Sequence, residues 1–176
     1  RVTLEGEAND HVCKGISGGD VVVVPPTGAR FEAESNAIVG NGALYGATGG
    51  RVLVRGIAGD RFAVRNSGAR AVVEGAGLHA CEYMTTGVVV ILGSTSANVG
   101  AGMSGGTVYL PADQVAQLNS EYVTASEVGD DTELRGLVAA HAERTGSATA
   151  LAMLADWSTA CARMRRCSPR TTSTPS

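Results

Sequence analysis

Gly15-Ile16-Ser17-Gly18-Gly19-Asp20-Val21 returns as Gly46-Ala47-Thr48-Gly49-Gly50-Arg51-Val52, and again as Gly102-Met103-Ser104-Gly105-Gly106-Thr107-Val108. Two looser copies lie between: Ser67-Gly68 ahead of Ala71-Val72-Val73, and Thr86-Gly87 ahead of Val88-Val89-Val90. The marker glycines are Gly18, Gly49, Gly68, Gly87 and Gly105, at steps of 31, 19, 19 and 18 residues. The long first step reads as one normal step plus an insertion of about a dozen residues near Pro25-Pro26-Thr27-Gly28. A period of ~20 residues is the mark of stacked repeats, each burying its neighbour.

Each copy leads into a short β-rich run. Val21–Val24 and Val88–Leu92 are unbroken apolar runs, as expected of parallel strands covered on both faces. Arg51–Arg55 and Arg61–Arg65 alternate, which predicts strands with Val52, Val54, Phe62 and Val64 inward and Arg outward. No run is followed by a helix long enough for a crossover. Stacked β-coils therefore fit better than a doubly wound sheet. Coils turn sharp corners, where a positive φ suits Gly. Gly18, Gly49, Gly68, Gly87 and Gly105 are assigned as structural corner glycines. Asn9, Asn41, Asn66 and Asn98 sit at the corners, placed to hydrogen-bond corner backbone.

From residue 112 glycine thins out. Asp130 and Glu133 stand at capping-box spacing, and Leu134, Leu137, Val138 and His141 follow on one helical face until Gly146. Ser147 caps a second arm carrying Leu151, Leu154, Trp157 and Cys161. The chain thus divides into a β-helix over 1–111, a connecting segment with a helical hairpin over 112–162, and a disordered or aberrant tail over 163–176. The hairpin is expected on the solenoid's side or last coil. The tail, Arg-rich with Ser, Thr and Pro, would fit a shifted reading frame.

Composition removes whole classes of function. The chain has 176 residues, 14 Lys and Arg against 17 Asp and Glu, and a net charge of −3. That balance carries no footprint for nucleic acid or an anionic membrane. No apolar run approaches the ~20 residues of a spanning helix. Four scattered cysteines make no disulfide framework, so a cytoplasmic setting is expected. The chain opens on Arg1 rather than Met, which suggests an excised piece.

Several motifs imitate chemistry. Gly100–Gly105 fits G-x-G-x-x-G, but a strand at Thr107–Leu110 follows where a dinucleotide site needs a helix. Gly15–Gly19 and Gly102–Gly106 fit G-x-S-x-G, yet the word occurs twice in repeat register, with Thr48 in a third copy. His79, Cys81 and Glu82 lack the second cluster of a metal site. Glu74, His79 and Glu82 could form a local polar network. Cys161 and Cys167 make no iron–sulfur or zinc set. No catalytic, cofactor-binding or metal residue is assigned to this chain.

Longer words carry a resemblance. They include Gly6-Glu7-Ala8-Asn9-Asp10, Gly40-Asn41-Gly42-Ala43-Leu44-Tyr45-Gly46 and Arg61-Phe62-Ala63-Val64-Arg65-Asn66-Ser67-Gly68. They continue through Cys81-Glu82-Tyr83-Met84-Thr85, Ala101-Gly102-Met103-Ser104-Gly105-Gly106, His141, Thr145-Gly146-Ser147 and Leu154-Ala155-Asp156-Trp157. Over residues 1–162 the sequence resembles the C-terminal GXGXG domain of the glutamate synthase large (alpha) subunit.

The resemblance implies a right-handed parallel β-helix with a structural, non-catalytic role. Its partners would be the amidotransferase and FMN-barrel domains of the same enzyme, with the glutamate synthase small subunit as a further partner. FMN and an iron–sulfur cluster belong to the parent enzyme and not to this chain. A free-standing GXGXG subunit is the alternative; the formylmethanofuran dehydrogenase C subunit fits these words less well. Cys13, Leu78, Ala80 and Thr86 depart from the family's Gly, Asp, Gly and Gly, and Thr86 is poorly suited to a corner with positive φ. The family's apolar-basic, strand-like end is not expected after Arg163.

Overall fold

The computed structural model describes residues 1–171. The chain forms a parallel β-solenoid of about six turns followed by helices. Its strands are β1 (Val2–Glu5), β2 (Ser17–Val24), β3 (Ala37–Val39), β4 (Gly49–Ala58), β5 (Ser67–Ala76), β6 (Thr86–Ile91), β7 (Thr107–Pro111), β8 (Val123–Glu127) and β9 (Met164–Pro169). The main sheet runs β1-β2-β4-β5-β6-β7-β9-β8, and β3 pairs with the second half of β4. The first step is long because residues 25–36 leave the coil, with one 3-10 turn at Ala33–Ser35, before β3 resumes it.

The register explains the apolar runs. Val21, Val52, Ala71, Val89 and Val108 align across β2, β4, β5, β6 and β7. This row, with Val23, Val54, Val73 and Ile91, faces the solenoid interior. The alternate row, Val22, Leu53, Val72, Val90 and Tyr109, faces outward and lies under the helices. Both sides of the sheet are thus covered, which is why the strands lack polar alternation.

The helices are α1 (Thr132–Thr145), α2 (Ala148–Ala155) and α3 (Trp157–Ala162). Leu134, Leu137, Val138 and His141 are buried on one face of α1. Gly146 ends α1 at φ 69°, and Ser147 Oγ accepts the Ala150 N–H at 3.1 Å. The expected capping box does not form. Asp131 occupies the cap position without capping the helix; its Oδ2 instead accepts the Trp157 Nε1–H at 2.6 Å. Asp130 instead accepts the Thr132 N–H and hydroxyl at 3.0 and 2.7 Å, while Glu133 turns to Arg70 and Tyr109. The second arm breaks at Asp156, whose φ of −138° and ψ of 68° are not helical.

Two further expectations are corrected. Arg61–Arg65 is a turn rather than a strand, with Arg61, Ala63 and Arg65 left-handed at φ 59°, 58° and 56°. Phe62 still joins the interior cluster, with Ala63 beside it, while Val64 is buried outside that cluster. The tail does not leave the fold at Arg163. Met164–Pro169 is β9, antiparallel to both β7 and β8. Its Met164 and Cys167 are buried on opposite faces, with the partly exposed Arg165 and the exposed Arg166 between them. Composition concealed this apolar-basic pattern. Residues 172–176 of the expected tail lie outside the described residues.

Candidate functional site

The most regular feature is one solenoid corner, where alternate residues are left-handed in every coil. The sets are His11, Cys13 and Gly15; Gly42, Leu44 and Gly46; Arg61, Ala63 and Arg65; His79, Cys81 and Tyr83; Asn98, Gly100 and Gly102. This conformation directs successive N–H groups to opposite neighbours. Arg61 and Arg65 donate to Leu78 and Glu82 in the following coil, and Ala63 donates to Ala43 in the preceding one. His79, Cys81 and Tyr83 repeat the arrangement with Ala97, Phe62 and Ala101. A left-handed non-glycine residue costs roughly 1 kcal/mol or more, and stitching to both neighbours offsets that strain.

Beside this corner runs a ladder of short polar side chains. Asp10 Oδ1 accepts the Asn41 N–H, Asn41 Oδ1 the Asp60 N–H, and Asp60 Oδ1 the Leu78 N–H, each at 2.8 Å. The ladder ends at Leu78, which has no acceptor to continue it and is 41% exposed. Asn41 does bond corner backbone, as expected, and Asn66 likewise accepts the Ala69 N–H at 2.9 Å. Asp10 and Asp60 carry no sequence signal for this role; each lies against a glycine of the next coil, Gly40 and Gly77, that only the stack brings beside it.

The marker glycines lie on the opposite side of the turn. Gly68 and Gly87 have φ of +150° and +100°. At Gly18, Gly49 and Gly105 the positive φ belongs instead to the next residue, Gly19, Gly50 and Gly106. Close approach is the stronger constraint. A Cβ at Gly49 would stand 2.6 Å from the Ser17 carbonyl oxygen, and one at Gly68 or Gly105 would overlap the carbonyl of Thr48 or Thr85. A Cβ at Gly18 would meet nothing within 4 Å. Thr86 opens β6 without a positive φ; Gly87 takes the strained position.

The polar groups gather into two clusters. His79 Nδ1 lies 2.7 Å from Glu82 Oε1, and Asn98 Nδ2 donates to Glu82 at 3.1 Å. Asn119 continues the chain by donating to Asn98 Oδ1 at 2.8 Å. Glu74 does not join this network. It turns to α1, where its Oε1 lies 2.9 Å from His141 Nε2, and both side chains are buried. The two residues are 67 apart, and only the His on the apolar face of α1 pointed to the contact.

Neither cluster places a nucleophile beside a base. Ser17 lies in β2, Ser104 is an exposed corner residue, and Gly100 and Gly102 are corner residues leading into β7 rather than a helix. Burial raises the thiol pKa of Cys81, and pushes that of Cys167 up to about 12. Both are protonated core side chains at neutral pH. Among the described residues no group of three or more His, Cys, Asp or Glu side chains converges for a metal.

Comparison with known proteins gives these features a context. Residues 1–170 match the family described as the GXGXG motif. Ferredoxin-dependent glutamate synthase 2 of Synechocystis sp. is 51% identical over 162 residues, covering 88% of this chain and 10% of that protein. Glutamate synthase [NADH] of Schizosaccharomyces pombe is 50% identical over 173 residues, covering 95% of this chain and 8% of that protein. The chloroplastic ferredoxin-dependent enzyme of Spinacia oleracea is 49% identical over 162 residues, covering 89% and 10%. The chain thus spans about a tenth of the length of these relatives.

Proposed function

The chain belongs to the GXGXG family, and from that premise we propose that it is a non-catalytic structural domain of glutamate synthase. In this reading it positions the amidotransferase and FMN-binding synthase domains, which together convert glutamine and 2-oxoglutarate to two glutamates. The carrying observation is near-half identity to glutamate synthases along almost the whole chain. The side-chain chemistry agrees. The conspicuous polar groups bond one another or the stacked backbone, and none is arranged as a nucleophile with its base.

FMN and an iron–sulfur cluster would belong to the parent enzyme. The residues of this chain do not fit either group. Cys13, Cys81 and Cys167 have raised thiol pKa values from burial, and Cys161 lies apart on α3. The glycine-rich Gly100–Gly105 turn leads into a strand and so offers no helix N-terminus to a phosphate. A cytoplasmic setting belongs to the same proposal; no helix among the described residues is long and apolar enough to cross a membrane.

The test is a chimera. This chain replaces the matching segment of the Synechocystis relative, and glutamine-dependent glutamate formation is measured. The expected result is retained turnover. A folded chimera with normal flavin content that lost glutamine hydrolysis and ammonia-dependent glutamate formation alike would overturn the proposal, because mispositioning alone leaves each half-reaction on its own domain.

A further inference from the structure

Positive charge on this acidic chain concentrates beside α1. Arg1 Nη2, Arg51 Nη2 and Arg144 Nη1 stand 3.8, 3.0 and 3.8 Å from a single carboxylate oxygen, Asp20 Oδ2. One carboxylate cannot neutralise three guanidinium groups. Arg51 Nε and Arg144 Nη1 are buried without a hydrogen-bond partner. Arg51 also borders a cleft of about 690 Å³ whose polar lining includes Arg70, Arg166, Tyr109, Asp130 and Glu133. The cleft itself is lined by three guanidinium groups against two carboxylates, and the Asp20 cluster adjoins it through Arg51, on a chain whose net charge is −3.

The geometry favours a ligand over a purely internal network. Arg51, Arg70 and Arg166 are mounted on three strands, β4, β5 and β9, so their spacing is set by the sheet. The Arg70–Glu133 pair, at 3.0 Å, is half exposed, and an exposed pair of this kind is worth little and readily exchanged. Gly136 borders the cleft from α1, and even a Cβ there would meet nothing within 4 Å. The cleft therefore has room as well as charge. Guanidinium forks match the planar or tetrahedral oxygens of carboxylates and phosphates.

We propose that this cleft binds a small polyvalent oxyanion, of the carboxylate or phosphate class, held between Arg51, Arg70 and Arg166. The experiment titrates the full chain with citrate and, separately, with inorganic phosphate, against sodium chloride at matched ionic strength. Thermal melting and calorimetric heat are read together. The expected result is a Tm rise of about 3 °C at about 10 mM of one anion, beyond the chloride control. A response to citrate alone assigns the carboxylate class, and one to phosphate alone the phosphate class. Arg166→Gln removes an exposed side chain, and Arg51→Gln one of the cluster; each is expected to abolish the shift. Arg30→Gln, in the exposed insertion, is expected to keep it. No shift beyond chloride overturns the proposal. So does a shift that survives in Arg166→Gln, which is the deciding variant if Arg51→Gln fails to fold.

Discussion

At the scale of single residues, the stack distinguishes glycines that look alike in sequence. Gly68 combines φ +150° with a carbonyl oxygen where its Cβ would go, so neither strain nor overlap can be relieved separately. Gly68→Val is expected to cost about 3 kcal/mol or more, read as a fall in Tm of roughly 10 °C. Gly18→Ala occupies the same repeat position in the first full coil, with open space and no positive φ. Its Tm is expected to stay within a few degrees of the parent. A severe loss in Gly18→Ala would show that repeat position, rather than the preceding coil's carbonyl, sets the constraint. The marker words reveal the stack because close approach recurs at its period. The left-handed corner is less legible, since Arg61, Ala63 and Arg65 carry no residue-type signal for the conformation they adopt.

Asp20 supplies a pH dependence at the same scale. The hydrogen bond from Arg51 lowers its pKa below the ordinary 3.8, with Coulombic help from Arg1 and Arg144. A depressed folded pKa contributes stability that is present above the unfolded value and lost as pH falls through the folded one. Urea midpoints measured between pH 6 and pH 3 should therefore fall less steeply in Asp20→Asn than in the parent. Equal slopes would show that the carboxylate gains nothing from its arginines.

At the scale of elements, α1 is joined to the solenoid by apolar packing and by one buried polar pair, Glu74 with His141. Removing one member of such a pair leaves the other buried and unpartnered, at a cost of about 1–3 kcal/mol. Glu74→Ala and His141→Ala are expected to lose comparable stability, and the double variant less than their sum. Strict additivity in urea melts would deny the coupling. The pair escaped the sequence because nothing local links residues so far apart, although the helix, its Gly146 stop and the Ser147 cap were all legible. β9 was concealed differently. Four arginines, Ser, Thr and Pro read as tail, while Met164 and Cys167, three residues apart, are buried on opposite faces of a strand that exists only because β7 and β8 flank it.

At the scale of the molecule, the two ends of the solenoid differ. β8, β9, Leu118 and Val123 close the far end, where Cys167 and Val123 are buried in the core. At the other end Ala8, Val12, Cys13, Ile16 and Val21 are only partly covered, although their partners in the next coil, Val39, Ala43, Leu44, Ala47 and Val52, are buried. β1 beside them exposes Val2 at 60% and Leu4 at 38%. An unblunted edge with apolar side chains invites pairing. The chain by itself is expected to self-associate in light scattering at high concentration, and Val2→Lys with Leu4→Lys to reduce that association. A concentration-independent monomer would count against an adhesive end.

A scaffold role for the whole molecule is open to one direct measurement. The purified chain is mixed with FMN, glutamine, 2-oxoglutarate and a reduced electron donor, and both glutamate formation and flavin retention after gel filtration are recorded. The stacked, internally bonded structure leads to no turnover and no retained flavin. Glutamate formation that follows the chain through purification would contradict it, and would place reacting groups on a chain whose His79–Glu82 and Glu74–His141 clusters hold no nucleophile beside a base.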